Sequence, residues 1–468
     1  MFDSQRAKAQ SSRPAEGSMK RGSAALIEIA RRADERSLAI ETAHETADRK
    51  LLVCLDGVPF DLIEAARARG LFSSFNRPTR LLSPFPTMTN IALSIMFDES
   101  APLGYESLYF DRERGALMGG VRKYLGRRTP DKIPSSYMDL LDYQEPLACE
   151  FLVYVAPHKV VAADFRRFYA AFARASGDED FFAFLKGVDG MLHICGPEAL
   201  LEALCELDRM LEKIRHREGD RTEILLFSDH GMNLVENRRA NVRTHLEKRG
   251  YQVVSQFGRA SARQVAIPAF GLCGYVALYS AENDKAELAQ HLAELEGVDF
   301  SVYRDGEALM LVGVEGRARI DRRLIGAEAH YKYEPQEGDP LRLLPKIETM
   351  RAARLFDASG YAHDHAWYEW TAEHIYPDAL ANLYNSIFEP HVVNAADVLV
   401  SLRDGYYYGA SIFGRLVRLL ATHGNALLPS SSAFLMSTHR EFPPHMRASD
   451  LRYSFKPKRK LRSLSSQR

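Results

Sequence analysis

Two stretches of the chain share one pattern: Lys50-Leu51-Leu52-Val53-Cys54-Leu55-Asp56-Gly57 and Ile224-Leu225-Leu226-Phe227-Ser228-Asp229-His230-Gly231. Each is apolar at consecutive positions, without the alternation of a half-exposed strand. Each therefore predicts a strand covered on both faces, as in a parallel sheet. Each also ends abruptly in a carboxylate, which places Asp56 and Asp229-His230 at the carboxyl edge, where open parallel sheets carry their sites. A helix over 197–216 is expected between them. Pro197 suits its first turn, and Leu200, Leu201, Leu204, Leu207, Leu211 and Ile214 form one apolar stripe. Buried strands alternating with helices argue for an α/β fold with a central, mostly parallel sheet flanked by helices.

The chain has 468 residues, more than a typical domain of about 100–200, so insertions or further domains are expected. Five segments are read. They are an N-terminal tail and charged helix (1–48), a core first part (49–235), an inserted α+β cap (236–360), a core second part (361–450) and a basic tail (451–468). The cap is read from GYVALYS, a helix over 285–296 and a hairpin. The 61 basic and 62 acidic residues balance to a formal charge of −1, so no global field recruits a nucleic-acid polymer or a membrane surface. Five scattered cysteines without a Cys-x-x-Cys pair exclude a disulfide framework and fit a reducing compartment. No secretory apolar run and no stretch of about 20 apolar residues occurs, so a cytoplasmic protein without a membrane span is expected.

Carboxylate oxygen and imidazole nitrogen are natural ligands of Zn²⁺ and similar ions. Besides Asp56 and Asp229-His230, the chain offers Asp189-Gly-Met-Leu-His193 ahead of Gly196-Pro197, and Thr422-His423-Gly424 near its end. The segment Pro86-Thr87-Met88-Thr89-Asn90 adds two hydroxyls. Singly these signals are weak. In this order they resemble the alkaline phosphatase superfamily, most closely its type I phosphodiesterase/nucleotide pyrophosphatase branch, over about 50–233 and 390–440.

The resemblance implies an alkaline phosphatase-like fold and a metal-dependent hydrolase of small-molecule phosphoric esters. Asp56, Thr89, Asp229 and His230 would surround one divalent ion, and Asp189, His193 and His423 the other. Zn²⁺ is the default metal, and Mn²⁺ or Fe would accept the same ligands. Thr89 would be the nucleophile, forming a phospho-threonine that water then hydrolyses. Thr87 is its rival, but the family's Pro-Thr-x-Thr places the reactive hydroxyl second. Relatives carry Asn three residues after the nucleophile; here that position is Ala92, and Asn90 follows Thr89 directly as the candidate hydrogen-bond donor to the phosphoryl group. The cluster His363-Asp364-His365 competes with His423 for the late ligand and is read as a pocket wall or a structural contact. Residues 104–114, aromatic and basic, would line a substrate groove or pack their own aromatics. A phosphomutase-like enzyme and a non-catalytic binding member are the alternatives.

Overall fold

The strand Arg49–Leu55 explains the architecture of the first half. In the computed structural model, which describes residues 47–120, 136–146, 149–175, 177, 179–258, 263–282, 284–409 and 418–454, it has parallel neighbours on both sides. Leu51 pairs with Phe181 of one and with Ile224 of the other. Leu51, Val53 and Leu55 face the helices Pro157–Arg174 and Gly187–Glu218, packing with Phe165, Phe168, Leu200, Leu204 and Leu207. Leu52 and Cys54 face the opposite layer, with Ala92, Leu93 and Met96 of the helix Thr89–Met96. Burial on both faces requires the unbroken apolar run, at about 1.5–3 kcal/mol for each large side chain taken from water.

The first sheet has seven strands, in the order His445–Arg447, Thr79–Leu82, Ser432–Ser437, Thr222–Ser228, Arg49–Leu55, Phe181–Leu185 and Tyr143–Gln144. Ser432–Ser437 runs antiparallel to both neighbours, and the remaining pairs are parallel. The fold is the mixed α/β architecture that the apolar runs predict.

The helix expected over 197–216 is longer, Gly187–Glu218, with a break at Gly196, whose φ of 76° is non-helical. Pro197 opens the second piece in the position it favours, and the first piece carries Asp189 and His193.

A nine-stranded sheet forms the second layer system. Its order is Ala362–His363, Glu328–Gly338, Gly316–Ile325, Ala308–Gly313, Val298–Asp305, Val398–Leu402, Tyr275–Ser280, Gln264–Ala266 and Gln252–Val253. Strand Val398–Leu402, from late in the chain, sits in its middle between Val298–Asp305 and Tyr275–Ser280. Helix Lys285–Ala293 covers one face through Leu288 and Leu292. Helices Asp364–Thr371 and Ala379–Phe388 cover the other through Trp367, Leu380 and Leu383. The aromatic-rich stretch 365–388 is thus two helices. The N-terminal helix expected up to about 47 and the basic tail beyond 454 lie outside the described residues. Among the described residues no helix is long and apolar enough to cross a membrane.

Candidate metal centre

Most side chains in the centre are placed at or near the end of a regular element. Asp56 follows the Arg49–Leu55 strand, and its N–H bonds to Leu185 O at 3.2 Å. Gly57 comes next with φ 68°, a region that costs other residues about 1–2 kcal/mol. Asp229 and His230 follow the strand Thr222–Ser228. Asp189 and His193 lie one turn apart on the first piece of their helix, so both project from one face. Thr89 is the first residue of its helix, beside the free N–H groups and positive dipole end of the first turn. His423 comes from the loop ahead of the short helix Leu428–Ser431.

These residues converge in two groups, Asp56 with Asp229 and His230, and Asp189 with His193 and His423. Within each group one ligand atom per residue lies within 4.8 Å of the others. The His230 and His423 rings stack at 4.0 Å between centroids and join the groups. Thr89 Oγ1 stands 3.2 Å from Asp56 Oδ1 and 3.2 Å from His230 Nε2. The Gly57 N–H donates to Asp229 Oδ1 at 3.1 Å.

The three histidines present the same nitrogen. His193 Nδ1 lies 2.7 Å from Ala421 O, His230 Nδ1 3.0 Å from Gly231 O, and His423 Nδ1 2.9 Å from Thr87 O. A carbonyl only accepts, so each Nδ1 carries the proton and each Nε2 lone pair faces the centre. That is the second hydrogen bond that orients metal-ligating histidines.

Charge in the centre is unbalanced. Burial, with Asp229 and Asp189 nearby, pushes the Asp56 carboxyl well above the usual carboxylate range. Burial pushes Asp229 up to about 6. It pushes His230 down to about 4 and, with His230 alongside, His423 down to about 3. Burial raises Asp189 as well, but His193 and His423 outweigh it and hold that carboxyl below its ordinary value. Asp189 Oδ1 and Asp229 Oδ2 are buried without a hydrogen-bond partner. Orphaned carboxylate oxygens beside neutral imidazole lone pairs fit divalent cations, which would satisfy both at once.

Thr87 points elsewhere. Its buried Oγ1 accepts the Gly424 N–H at 2.8 Å. His363 and His365 sit outside both groups, 3.5 Å from Glu328 and 3.7 Å from Glu369. Asp364 between them binds Arg447. Residues 104–114 dock against the second sheet. Tyr105 packs against Tyr275 with the rings tilted, Glu106 accepts from Gly271 N–H and the Tyr275 hydroxyl, and Phe110 packs on Tyr279. Sequence reasoning missed Tyr137, whose hydroxyl donates to Asn90 Oδ1 at 2.8 Å, and Lys186, next to Asp56 across the strand pair. Tyr137 carries no local signal. Lys186 needed the strand register.

The family model described as type I phosphodiesterase / nucleotide pyrophosphatase matches residues 109–340. No curated protein matches the chain. Among solved structures, murine ectonucleotide pyrophosphatase / phosphodiesterase 5 is similar at 14% identity, covering 86% of this chain and 92% of that one, with TM-score 0.45. Its human counterpart is similar at 13% identity with the same coverage and TM-score 0.46. Phosphonoacetate hydrolase from Sinorhizobium meliloti, in complex with phosphonoformate, is similar at 13% identity, covering 86% of this chain and 94% of that one, with TM-score 0.42.

Proposed function

We propose that the chain is a member of the type I phosphodiesterase/nucleotide pyrophosphatase branch of the alkaline phosphatase superfamily, whose family model it matches over residues 109–340, and that it hydrolyses a small-molecule phosphoric ester through Thr89. The observation that carries this reading is the convergence of Asp56, Asp229 and His230 on the Thr89 hydroxyl, with Asp189, His193 and His423 alongside. Two divalent ions held by these groups supply Lewis acidity, lowering the pKa of a bound hydroxyl or water and offsetting charge on the phosphoryl oxygens.

The side chains divide the remaining work. Thr89 donates its one proton to Asp56 Oδ1, with His230 Nε2 at the same 3.2 Å as the alternative acceptor, and either bond orients Oγ1 in the site. Thr89 Oγ1 bonds to phosphorus as the bond from phosphorus to the ester oxygen breaks; that oxygen leaves with the bonding electron pair and takes up the proton Thr89 loses. A water then attacks phosphorus, the Thr89–phosphorus bond breaks, one proton of that water returns to Thr89 Oγ1, and the phosphoryl product departs. Asn90, with Oδ1 engaged by Tyr137, has its Nδ2 protons left to donate to a phosphoryl oxygen. The helix N-terminus at Thr89 adds a favourable dipole for an anion. Zn²⁺ is our choice for the ions because carboxylate and imidazole donors suit it; Mn²⁺ and Fe accept the same set. A cytoplasmic location belongs to this reading, supported by five free cysteines.

The test is turnover of p-nitrophenyl phosphate and bis(p-nitrophenyl) phosphate by the metal-loaded protein, with and without chelator. Acid-quenched samples are digested and searched for a phosphorylated Thr89 peptide. Turnover that chelator abolishes is expected; no chelator-sensitive turnover of either ester overturns the reading.

A further inference from the structure

His423 sits in a loop, outside any helix or strand, so hydrogen bonds on its two sides set its course. On one side the buried Asn233 accepts the Thr422 N–H on Oδ1 at 3.1 Å, and its own N–H donates to Thr422 O at 2.8 Å. On the other side the buried Asn425 donates from Nδ2 to Leu402 O and to Asp404 Oδ1, both at 3.0 Å. Asn233 Nδ2 donates to that same Asp404 Oδ1, also at 3.0 Å. One carboxylate oxygen, from the turn between the strands Val398–Leu402 and Tyr406–Gly409, thus holds both flanks of His423: Asn425 directly, and Thr422 through Asn233. A carboxylate only accepts, which keeps Nδ2 of Asn233 toward Asp404 and leaves its Oδ1 for the Thr422 N–H. Asn237 agrees with that orientation, taking the Gly405 N–H on its own Oδ1 at 3.1 Å and donating to Asn233 Oδ1 at 3.0 Å.

We propose that Asp404 is a positioning residue that sets how tightly the ion of the Asp189, His193 and His423 group is held, without touching that ion. This rests on the reading of the two ligand groups given above. Two of the three ligands in that group lean on the loop: His423 belongs to it, and His193 takes its orientation from Ala421 O at 2.7 Å. The other group is placed by different bonds. Asp56 and Asp229 follow strands in parallel register, Leu55 beside Ser228, and the Gly231 N–H after His230 donates to Ser430 O at 2.8 Å. Removing the Asp404 carboxylate leaves two buried amide groups short of a charge-assisted acceptor. The loop then loses its common anchor, while the strand ends keep theirs. Partners one step behind a ligand typically carry ten- to a hundredfold of metal affinity.

The experiment titrates Zn²⁺ into the full chain after chelator treatment, following heat by calorimetry and bound metal by elemental analysis. It compares wild type, Asp404→Ala, Asp404→Asn, His423→Ala and the double variant His423→Ala/Asp404→Ala, with Asp404→Ser in place of alanine should that variant fail to fold. Wild type is expected to take two ions per chain. Asp404→Ala is expected to weaken one of them by about ten- to a hundredfold and to leave the other unchanged. Asp404→Asn, which keeps an oxygen acceptor, is expected to recover most of that loss. In the His423→Ala chain, which retains the other ion only, adding Asp404→Ala is expected to change nothing further, because both act on one ion. Equal weakening of both ions, weakening of neither, or a further loss in the double variant overturns the proposal; the first of these is what a residue that merely joins the two sheets would give. A wild type that binds no Zn²⁺ overturns the reading of the centre itself, whereas two tight ions in both wild type and Asp404→Ala overturn the role of Asp404 alone.

Discussion

Thr87 and Thr89, two positions apart, differ in what their hydroxyls touch, and this difference predicts opposite phenotypes. Thr89 Oγ1 is half-buried and faces Asp56 and His230. Thr89→Ala is expected to reduce turnover to background while changing the unfolding free energy by about 1 kcal/mol or less, the worth of one hydrogen bond. Thr87 Oγ1 accepts the buried Gly424 N–H, and its carbonyl holds His423 Nδ1. Thr87→Ala strands the Gly424 N–H and is expected to cost about 1–3 kcal/mol in chemical denaturation, with weaker metal retention, yet with the phospho-Thr89 adduct still formed. A variant pair with the phenotypes exchanged assigns the nucleophile to Thr87. Gly57 is equally constrained. A Cβ there would stand 2.8 Å from Asp189 Oδ1 and 3.0 Å from Met232 Cε, at a φ of 68°. Gly57→Ala is therefore expected to lower the bound metal per chain in elemental analysis, because Asp189 must move to make room.

At the scale of elements, what could be read from the sequence was whatever a single element carries. The two apolar runs fixed two strands, and their polar ends fixed Asp56, Asp229 and His230, because a buried strand's last residue must emerge at the sheet edge. Asp189 and His193 were legible as a pair four residues apart, but not as one helical face, because the helix was expected to start only at 197 and the structure starts it at Gly187. Tyr137 and Lys186 were not legible because their neighbours come from strand register and from a turn over 137–140. Strand Val398–Leu402 was not legible as a member of the second sheet, since its partners lie about a hundred residues earlier and apolar runs do not name their partners. The break within Gly187–Glu218 was half legible: Pro197 marked a helix start, but not that another helical piece precedes it. A Cβ at Gly196 would meet only Leu420 Cδ1, at 3.6 Å, so space is available and the penalty lies in φ. Gly196→Ala is expected to lower stability by about 1–3 kcal/mol in urea melts, since φ 76° with ψ −174° is a conformation essentially restricted to glycine, with little effect on metal content. Large loss of metal would mean that the break sets the direction of the Asp189 piece and not only its end.

Over the whole molecule, the centre lies where the two sheets are tied together. The Gly274 N–H bonds to His423 O at 2.6 Å, and Asn233 and Asn425 both donate to Asp404 Oδ1 at 3.0 Å, just beyond Val398–Leu402. Ions held by His423 and the first-sheet carboxylates would therefore join both layer systems and stabilise the native state by mass action, by about 2.7 kcal/mol at a hundredfold excess over Kd. The pH dependence follows from the metal-free carboxyls. The folded value of Asp229, about 6, lies above its ordinary 3.8. Its contribution to metal-free stability is thus full at low pH and is lost as pH rises through 6. Asp56 is displaced in the same direction. Bound cations remove that repulsion only when no proton competes, and His230 and His423, at about 4 and 3, compete only in more acid solution. The rise in Tm on adding Zn²⁺ is accordingly expected to be largest at pH 7–8 and to shrink as pH falls through about 6, with protons released on binding. Scanning calorimetry with and without Zn²⁺ across that range measures the first, and titration in buffers of different ionisation enthalpy counts the second. A metal-induced rise that is constant from pH 5 to 8, with no proton release, would show that the ions bind away from these carboxylates.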